Sequence, residues 1–151
     1  CFLTCRQYGE EIIPGVHTLP TWDKLAEVSE MDLRKLKFGY RAKYVSSTAK
    51  RLVKEPDFLS TVEAASYEEA RALLMELPGV GGKVADCALL FGAGKLEAFP
   101  VDTWIAKALA ARYGLDNWKL DQLATFGRVH FGKYAGLAQQ FLFSAERRNL
   151  Q

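Results

Sequence analysis

Residues 77–91 read LPGVGGKVADCALLF and join a glycine-rich turn to an apolar run. The proline and the clustered glycines disfavour a helix over the first part, whereas the apolar residues after Gly82 recur at helical spacing. The stretch therefore predicts a tight turn followed by a helix, with Lys83 in the first helical turn. The helix dipole and the nearby apolar stripe disfavour a cation there, so we interpret Lys83 as a reactive amine rather than a structural lysine.

The glycine spacing excludes two common phosphate-binding motifs. A P-loop, G-x-x-x-x-G-K-[ST], needs a longer gap than the Val80-Gly81 pair that separates Gly79 from Gly82. A dinucleotide fingerprint, G-x-G-x-x-G, fails because Val84 replaces its last glycine. The remaining interpretation is a helix, a turn too close for side chains, and a second helix. This is either an ordinary αα-corner or a hairpin whose helical amide groups hold a nucleic-acid phosphate.

Composition places the chain among ordinary globular proteins. It has 151 residues, of which 49% are hydrophobic and 25% charged, enough for one domain with a core. We predict a single domain over residues 1–151, with no membrane-spanning segment and no signal peptide. Because the sequence starts with Cys1 rather than Met, we expect a fragment whose missing part lies upstream.

The metal-binding residue types are scarce. The chain has 3 cysteines (Cys1, Cys5, Cys87) and 2 histidines (His17, His130), without a Cys-x-x-Cys pair. These cannot form a four-thiolate iron–sulfur cluster and do not favour a zinc site. An odd number of unpaired cysteines is typical of a reducing, intracellular compartment.

Positive charge is concentrated in one segment, although the net charge is only +2. Residues 34–54 contain no acidic residue and carry these basic ones: Arg34, Lys35, Lys37, Arg41, Lys43, Lys50, Arg51 and Lys54. Such a run is either a solvated helix face or a surface that attracts a polyanion.

The rest of the chain predicts an all-α fold of roughly seven or eight short helices. Ser66 begins an S-x-x-E capping box, and Asp102 is placed to cap a helix that runs on to Tyr113. Lys83, Cys87 and Phe91 share one face of the helix after the glycine turn. The segment between Phe91 and Asp102 is long enough for the chain to return and place Asp102 beside Lys83.

These motifs together resemble the helix-hairpin-helix DNA glycosylase superfamily, and within it the 8-oxoguanine DNA glycosylase/AP lyases. The resemblance rests on LPGVGGKVADC followed by PVD, and on FGYRAKYV, SYEEARALL and FGKYAGLAQQFLFSAERR, in that order. It implies that Lys83 attacks C1′ of the damaged nucleotide and that Asp102 stabilises the positive charge that develops on the sugar. It also implies DNA repair by base excision, with AP lyase activity.

The resemblance assigns further residues to the substrate and to DNA. Cys87 and Phe143 would sandwich the flipped base, Gln139 would bind its Watson–Crick edge, and Phe91 would line the same pocket. Contacts to DNA would come from Tyr40 and Arg41, and from the backbones of Gly79, Gly81 and Val84. A structural cation would be held by the backbone carbonyls of Met75, Leu77 and Val80.

The resemblance also implies a partner, a compartment and two departures. We expect a monomer that acts on double-stranded DNA containing oxidised guanine, in a bacterial cytoplasm or a nucleus, without a cofactor for chemistry. Trp104 stands where some relatives have a phosphate-binding histidine, and the segment that fills the vacated base position would lie upstream of Cys1.

Three other readings compete with this one. A non-catalytic DNA-binding hairpin module is the main alternative. A helical protein-interaction domain is another. Within the superfamily, Lys83 argues against a monofunctional glycosylase, and the few cysteines argue against an iron–sulfur relative.

Overall fold

The computed structural model describes residues 2–148 and is mainly helical, which confirms the predicted all-α class. Its α-helices in this range are α1 (Phe2–Tyr8), α2 (Trp22–Glu27), α3 (Glu30–Leu33), α4 (Ala42–Lys54), α5 (Phe58–Ala64), α6 (Tyr67–Met75), α7 (Gly82–Phe91), α8 (Thr103–Tyr113), α9 (Leu120–Phe131) and α10 (Ala135–Arg148). Irregular helical turns occupy Arg34–Phe38, Gly39–Arg41 and Gly132–Tyr134. None of the described helices is long and apolar enough to cross a membrane. Cys1, the first residue of the sequence, lies outside the described residues.

A small antiparallel hairpin interrupts the helices near the start of the chain. Its strands, β1 (Glu11–Ile13) and β2 (Val16–His17), pair Glu11 with His17 and Ile13 with Val16. The sequence did not predict them, because strands of three and two residues are too short to show a period of two.

Local side-chain caps set the start of the two helices that were predicted from them. Ser66 accepts from the Glu69 amide while Glu69 accepts from the Ser66 amide, so the predicted capping box of α6 is confirmed. Asp102 accepts from two amide groups of the first turn of α8, which confirms it as the N-cap. Left-handed Gly114 then ends α8.

The chain divides into two compact units, so the single domain remains a prediction. The first unit contains the residues up to Thr61 together with Leu77–Gly79. Its core consists of Val28, Leu33 and Ala42, from the region where α2, α3 and α4 meet.

The second unit contains Val62–Glu76 and the chain from Val80 onward. Fully buried Phe99 lies at its centre and stacks on Phe131, with ring centroids 5.8 Å apart. Residues of α8, α9 and α10 surround this pair: Ile105, Leu109, Leu123 and Ala135. The loop before α8, which contains Asp102, is therefore anchored in this core.

Gly127 on α9 should tolerate no side chain. A Cβ built there would overlap the buried Phe99 ring. We expect Gly127→Ala to reduce the free energy of unfolding by about 1–3 kcal/mol through overpacking, measured by urea denaturation. Val129→Ala is the matched control on the same helix, because Val129 is 80% exposed and its truncation removes no core contact. Equal stability of the Gly127→Ala variant and the native chain would contradict this packing.

Candidate active site

Lys83 is the second residue of α7 and points its amine at solvent. Its side chain is exposed, and no hydrogen bond or ion pair to it is found within residues 2–148. The residue that precedes the helix, Gly81, offers no side-chain cap to the first turn. The amine is therefore open to an external ligand. Because Lys83 is exposed, the apolar surroundings that the sequence predicts around its amine are not formed by the described residues, and only a bound ligand could supply them.

Cys87 and Phe91 follow Lys83 along the same helix at intervals of four residues. Cys87 is half-buried with a free thiol, and the Phe91 ring is 65% exposed. This face of α7 thus carries, in order, the amine of Lys83, the thiol of Cys87 and the ring of Phe91. The amine is polar, whereas the thiol and the ring offer apolar surface.

Within residues 2–148, only one of the Asp102 carboxylate oxygens has a hydrogen-bond partner. Oδ1 accepts from the amide of Trp104 at 3.0 Å and from that of Ile105 at 2.9 Å. The side chain is half-buried, and no donor to Oδ2 is found in the described part of the chain. One oxygen therefore fixes the carboxylate, and the other is available for chemistry.

The structure brings the chain next to Asp102 back to the start of α7, as expected from the loop length. Lys83 and Val101, the neighbour of Asp102, line one cavity of about 290 Å³. Lys83 and Asp102 do not form an ion pair with each other in this structure. The nucleophile candidate thus shares a cavity with the residue that precedes the carboxylate candidate, and its amine is unengaged.

The predicted base-binding residues of α10 differ in their surroundings. Gln139 is 5% exposed, and its Oε1 accepts from the Nε2 of Gln140. Phe143 is half-buried, with the Arg147 guanidinium 5.7 Å from its ring centroid. A cleft of about 330 Å³ beside Phe143 is lined by Gln140 and not by Gln139. The assignment of Gln139 to the base edge therefore stays a prediction.

Tyr40 and Arg41 belong to the first unit and form a protruding pair. Both lie in the turn Gly39–Arg41, and the Tyr40 ring is 60% exposed. The Arg41 guanidinium lies 4.7 Å from the Tyr40 centroid, and Tyr44 meets that ring edge-on at 6.4 Å. The assignment of this pair to DNA stays a prediction.

The basic segment is partly neutralised by acidic residues just outside it. Arg34 pairs with Glu30 at 2.8 Å, Lys35 with Asp32 at 2.7 Å, and Arg51 with Glu55 at 3.2 Å. The hydrogen bond from Lys35 holds the pKa of Asp32 below its ordinary value. Both readings of this segment therefore remain open.

Gly79 and Gly81 differ in whether the structure of the turn requires a glycine. Gly79 has φ +77, and a Cβ would approach the Tyr44 ring to 2.5 Å, so both conformation and space require glycine. Gly81 has an ordinary φ of −98 and nothing within 4 Å of a built Cβ. The expectation that the turn itself requires Gly81 is therefore wrong. The space beside it is open to a ligand, as it is beside exposed Val84.

The carbonyl groups predicted to hold a cation are available as acceptors. No backbone hydrogen bond in the described range ends on the carbonyl oxygen of Met75, Leu77 or Val80. Oxygen ligands of this kind suit a hard cation. No cluster of three or more His, Cys, Asp or Glu side chains that could hold a metal occurs among residues 2–148. The hairpin cation stays a prediction.

Sequence reasoning missed one group of residues at this site. Arg71 and Asp86 also line the cavity that contains Lys83, and buried Tyr67 donates to Asp86. A carboxylate within the apolar run VADCALLF was the available signal, because a helix face that is otherwise buried needs a partner for such a charge.

Comparison with known proteins identifies the family. The model described as HhH-GPD superfamily base excision DNA repair protein matches residues 4–126, and the chain belongs to this family. The predicted resemblance is thereby confirmed.

Individual relatives are similar over most of the chain. A probable N-glycosylase/DNA lyase of Methanothermobacter thermautotrophicus is 40% identical over 124 residues, which is 82% of this chain and 39% of the relative. The N-glycosylase/DNA lyase OGG1 of Arabidopsis thaliana is 40% identical over 86% of this chain and 39% of its own length. The chain thus spans well under half the length of these curated relatives.

A solved structure is similar over nearly the whole chain. It is the Clostridium acetobutylicum 8-oxoguanine glycosylase/lyase in complex with double-stranded DNA containing cytosine opposite 8-oxoguanine. It matches with a TM-score of 0.92 and 36% identity, over 98% of this chain and 52% of that one.

The open space at Gly81 can be tested against the crowded space at Gly79. We expect Gly81→Ala to change the free energy of unfolding by no more than about 1 kcal/mol, because only the N-cap preference changes. The same variant should bind duplex DNA about tenfold more weakly, since its methyl group would stand between backbone and phosphate. Gly79→Ala should instead lose stability. Fluorescence anisotropy at fixed salt and urea denaturation measure the two effects, and undiminished DNA affinity of Gly81→Ala would remove Gly81 from the interface.

Proposed function

We propose that this protein excises 8-oxoguanine from duplex DNA and cleaves the resulting site, with Lys83 as the nucleophile. The observation that carries the proposal is the unengaged amine of Lys83 at the start of α7, in a cavity shared with the neighbour of Asp102. Family membership and the names of the similar proteins support the same reaction class.

The chemistry begins with access to the nucleotide. Its C1′ is shielded in a duplex, so the nucleotide must be extruded at a cost of a few kcal/mol. The uncharged Lys83 amine then forms a bond to C1′, and the electron pair of the glycosidic bond leaves with the base, which takes up a proton. Opening of the sugar ring gives a Schiff base. Loss of a C2′ proton then expels the 3′ phosphate by β-elimination, and water hydrolyses the remaining Schiff base to release the Lys83 amine.

Asp102 supplies the negative charge in this scheme. Its Oδ1 is fixed by two amide groups of α8, so Oδ2 is held in a constant direction. A fixed carboxylate stabilises the positive charge of an oxocarbenium-like sugar more than mobile water does, because it needs no reorganisation. We assign charge stabilisation and assistance of proton movement to this residue.

The remaining residues bind the substrate. We assign the base sandwich to Cys87 and Phe143, its hydrogen-bonding edge to Gln139 and a further pocket wall to Phe91. Tyr40 would insert into the duplex as a wedge, and Arg41 would contact the cytosine opposite the lesion. The backbones of Gly79, Gly81 and Val84 would bind phosphate.

No cofactor takes part in the proposed steps, since amine, carboxylate, substrate and water account for every bond made or broken. A cation held by the carbonyls of Met75, Leu77 and Val80 would stabilise the turn. We propose that the protein acts as a monomer, inside the cell, where its DNA substrate is found.

Borohydride trapping tests the nucleophile. Borohydride reduces a Schiff base to a stable amine, so the native chain incubated with 8-oxoguanine duplex and borohydride should form a covalent adduct. Mass spectrometry of peptides should place the adduct on Lys83 rather than on Lys95 or Lys107. Lys83→Gln should abolish trapping, because an amide cannot attack.

Two controls separate this reading from its alternative. Lys83→Gln should keep its affinity for lesion DNA, because the hairpin amide groups are untouched. Lys83→Arg should keep charge but not trap, since guanidinium stays protonated. A Lys83→Gln variant that traps like the native chain would show that another amine is the nucleophile, whereas absence of any adduct with the native chain would favour the non-catalytic DNA-binding module.

Asp102→Asn tests the carboxylate separately from the helix cap. Asparagine caps a helix about as well as aspartate, so the melting temperature and DNA affinity should change little. Single-turnover excision should fall by about a hundredfold or more, because the charge that stabilises the sugar cation is gone. A parallel loss of stability, binding and excision would show instead that Asp102 is only structural.

A further inference from the structure

Asp86 is a buried carboxylate on the helix that carries Lys83. It is 1% exposed and lies in the second turn of α7. Its Oδ1 accepts from the Tyr67 hydroxyl at 2.7 Å and from the Arg71 Nε at 3.1 Å. Burying a charge is costly, and an apolar residue of similar volume often gives equal or higher stability. In some proteins such a pair fixes geometry rather than adding stability.

Arg71 connects this carboxylate to two further elements. It lies on α6, and its Nη2 donates to exposed Asp121 in the first turn of α9 at 3.2 Å. A Cβ built on Gly82 would overlap the same guanidinium. The guanidinium therefore lies against the first residue of α7 and occupies the space where a side chain on Gly82 would start.

These contacts flank Lys83 on both sides. Gly82 precedes it and Asp86 follows it within one turn, whereas Lys83 itself has no partner in the described range. Because α7 also lacks a side-chain cap, the direction of the Lys83 side chain depends on how the backbone of this turn is held. A reacting atom displaced by about 1 Å can lose about a hundredfold in rate.

We propose that Arg71, paired with the Asp86 carboxylate that Tyr67 holds in place, is a positioning residue that fixes the first turn of α7 and aims the Lys83 amine at the sugar. This inference rests on the proposed function. Arg71 does not touch the substrate in it; the side chain acts through the helix backbone. Burial and the hydrogen bond to Asp86 raise the pKa of Tyr67, so its hydroxyl remains a donor throughout the working pH range.

Two mild substitutions loosen the network without leaving a large cavity. Tyr67→Phe removes one hydroxyl, and Arg71→Lys keeps the charge but loses the fork that reaches Asp86 and Asp121 together. Each should lower the single-turnover rate of borohydride trapping at saturating lesion DNA by about tenfold or more. Affinity for that DNA should stay within about threefold, because the hairpin amide groups remain.

Ser66→Ala is the matched control. It removes the cap of α6 next to Tyr67 and lowers stability, but within residues 2–148 no hydrogen bond of Ser66 reaches α7. The trapping rate of this variant, measured well below its melting temperature, should equal that of the native chain. If Ser66→Ala slowed trapping as much as Arg71→Lys at equal loss of stability, the role of Arg71 would be structural and the inference would be overturned.

Hydrogen exchange gives a readout that does not depend on activity. The amide groups of Val84 and Ala85 donate to the Gly81 carbonyl at 3.0 and 2.9 Å. In Arg71→Lys without DNA these amides should exchange faster than in the native chain and in Ser66→Ala. Unchanged exchange, or a native trapping rate in Arg71→Lys, would overturn the inference while the native adduct still supported the proposed function. Absence of any adduct with the native chain would overturn both.

Discussion

Two close approaches constrain the backbone around the start of α7. Gly79 adopts a positive φ against the Tyr44 ring, and the Arg71 guanidinium occupies the space where a side chain on Gly82 would start. Between them, no atom lies within 4 Å of a Cβ built on Gly81, so the space beside this residue is open. The amide groups of the first turn are thus held by their flanks and remain open in the middle, which is the arrangement that a bound anion needs.

Much of the fold could be predicted because its signals are local. The capping residues Ser66 and Asp102 are recognisable by type and spacing, and the bounds of α9 (Leu120–Phe131) follow from one apolar stripe that ends at a glycine. The common face of Lys83, Cys87 and Phe91 follows from helical periodicity alone.

The parts that could not be predicted depend on distant residues. Arg71 and Asp86 are far apart in the sequence, so no local pattern shows that they form an ion pair. Gln139 and Gln140 are adjacent and chemically identical, so only burial distinguishes them, and burial is a tertiary property.

The contact between Phe99 and Gly127 has a consequence for how such sequences can change. The ring fills the space that a side chain on α9 would need, so the two positions share a single volume. A larger side chain at position 127 requires a smaller one at position 99. We therefore expect the residues at these two positions to vary together among relatives. Since Phe99 lies in the same short loop as Asp102, the permitted pairs are further limited to those that leave the course of that loop unchanged. The position of the Asp102 carboxylate therefore depends on Gly127, which lies on a different helix.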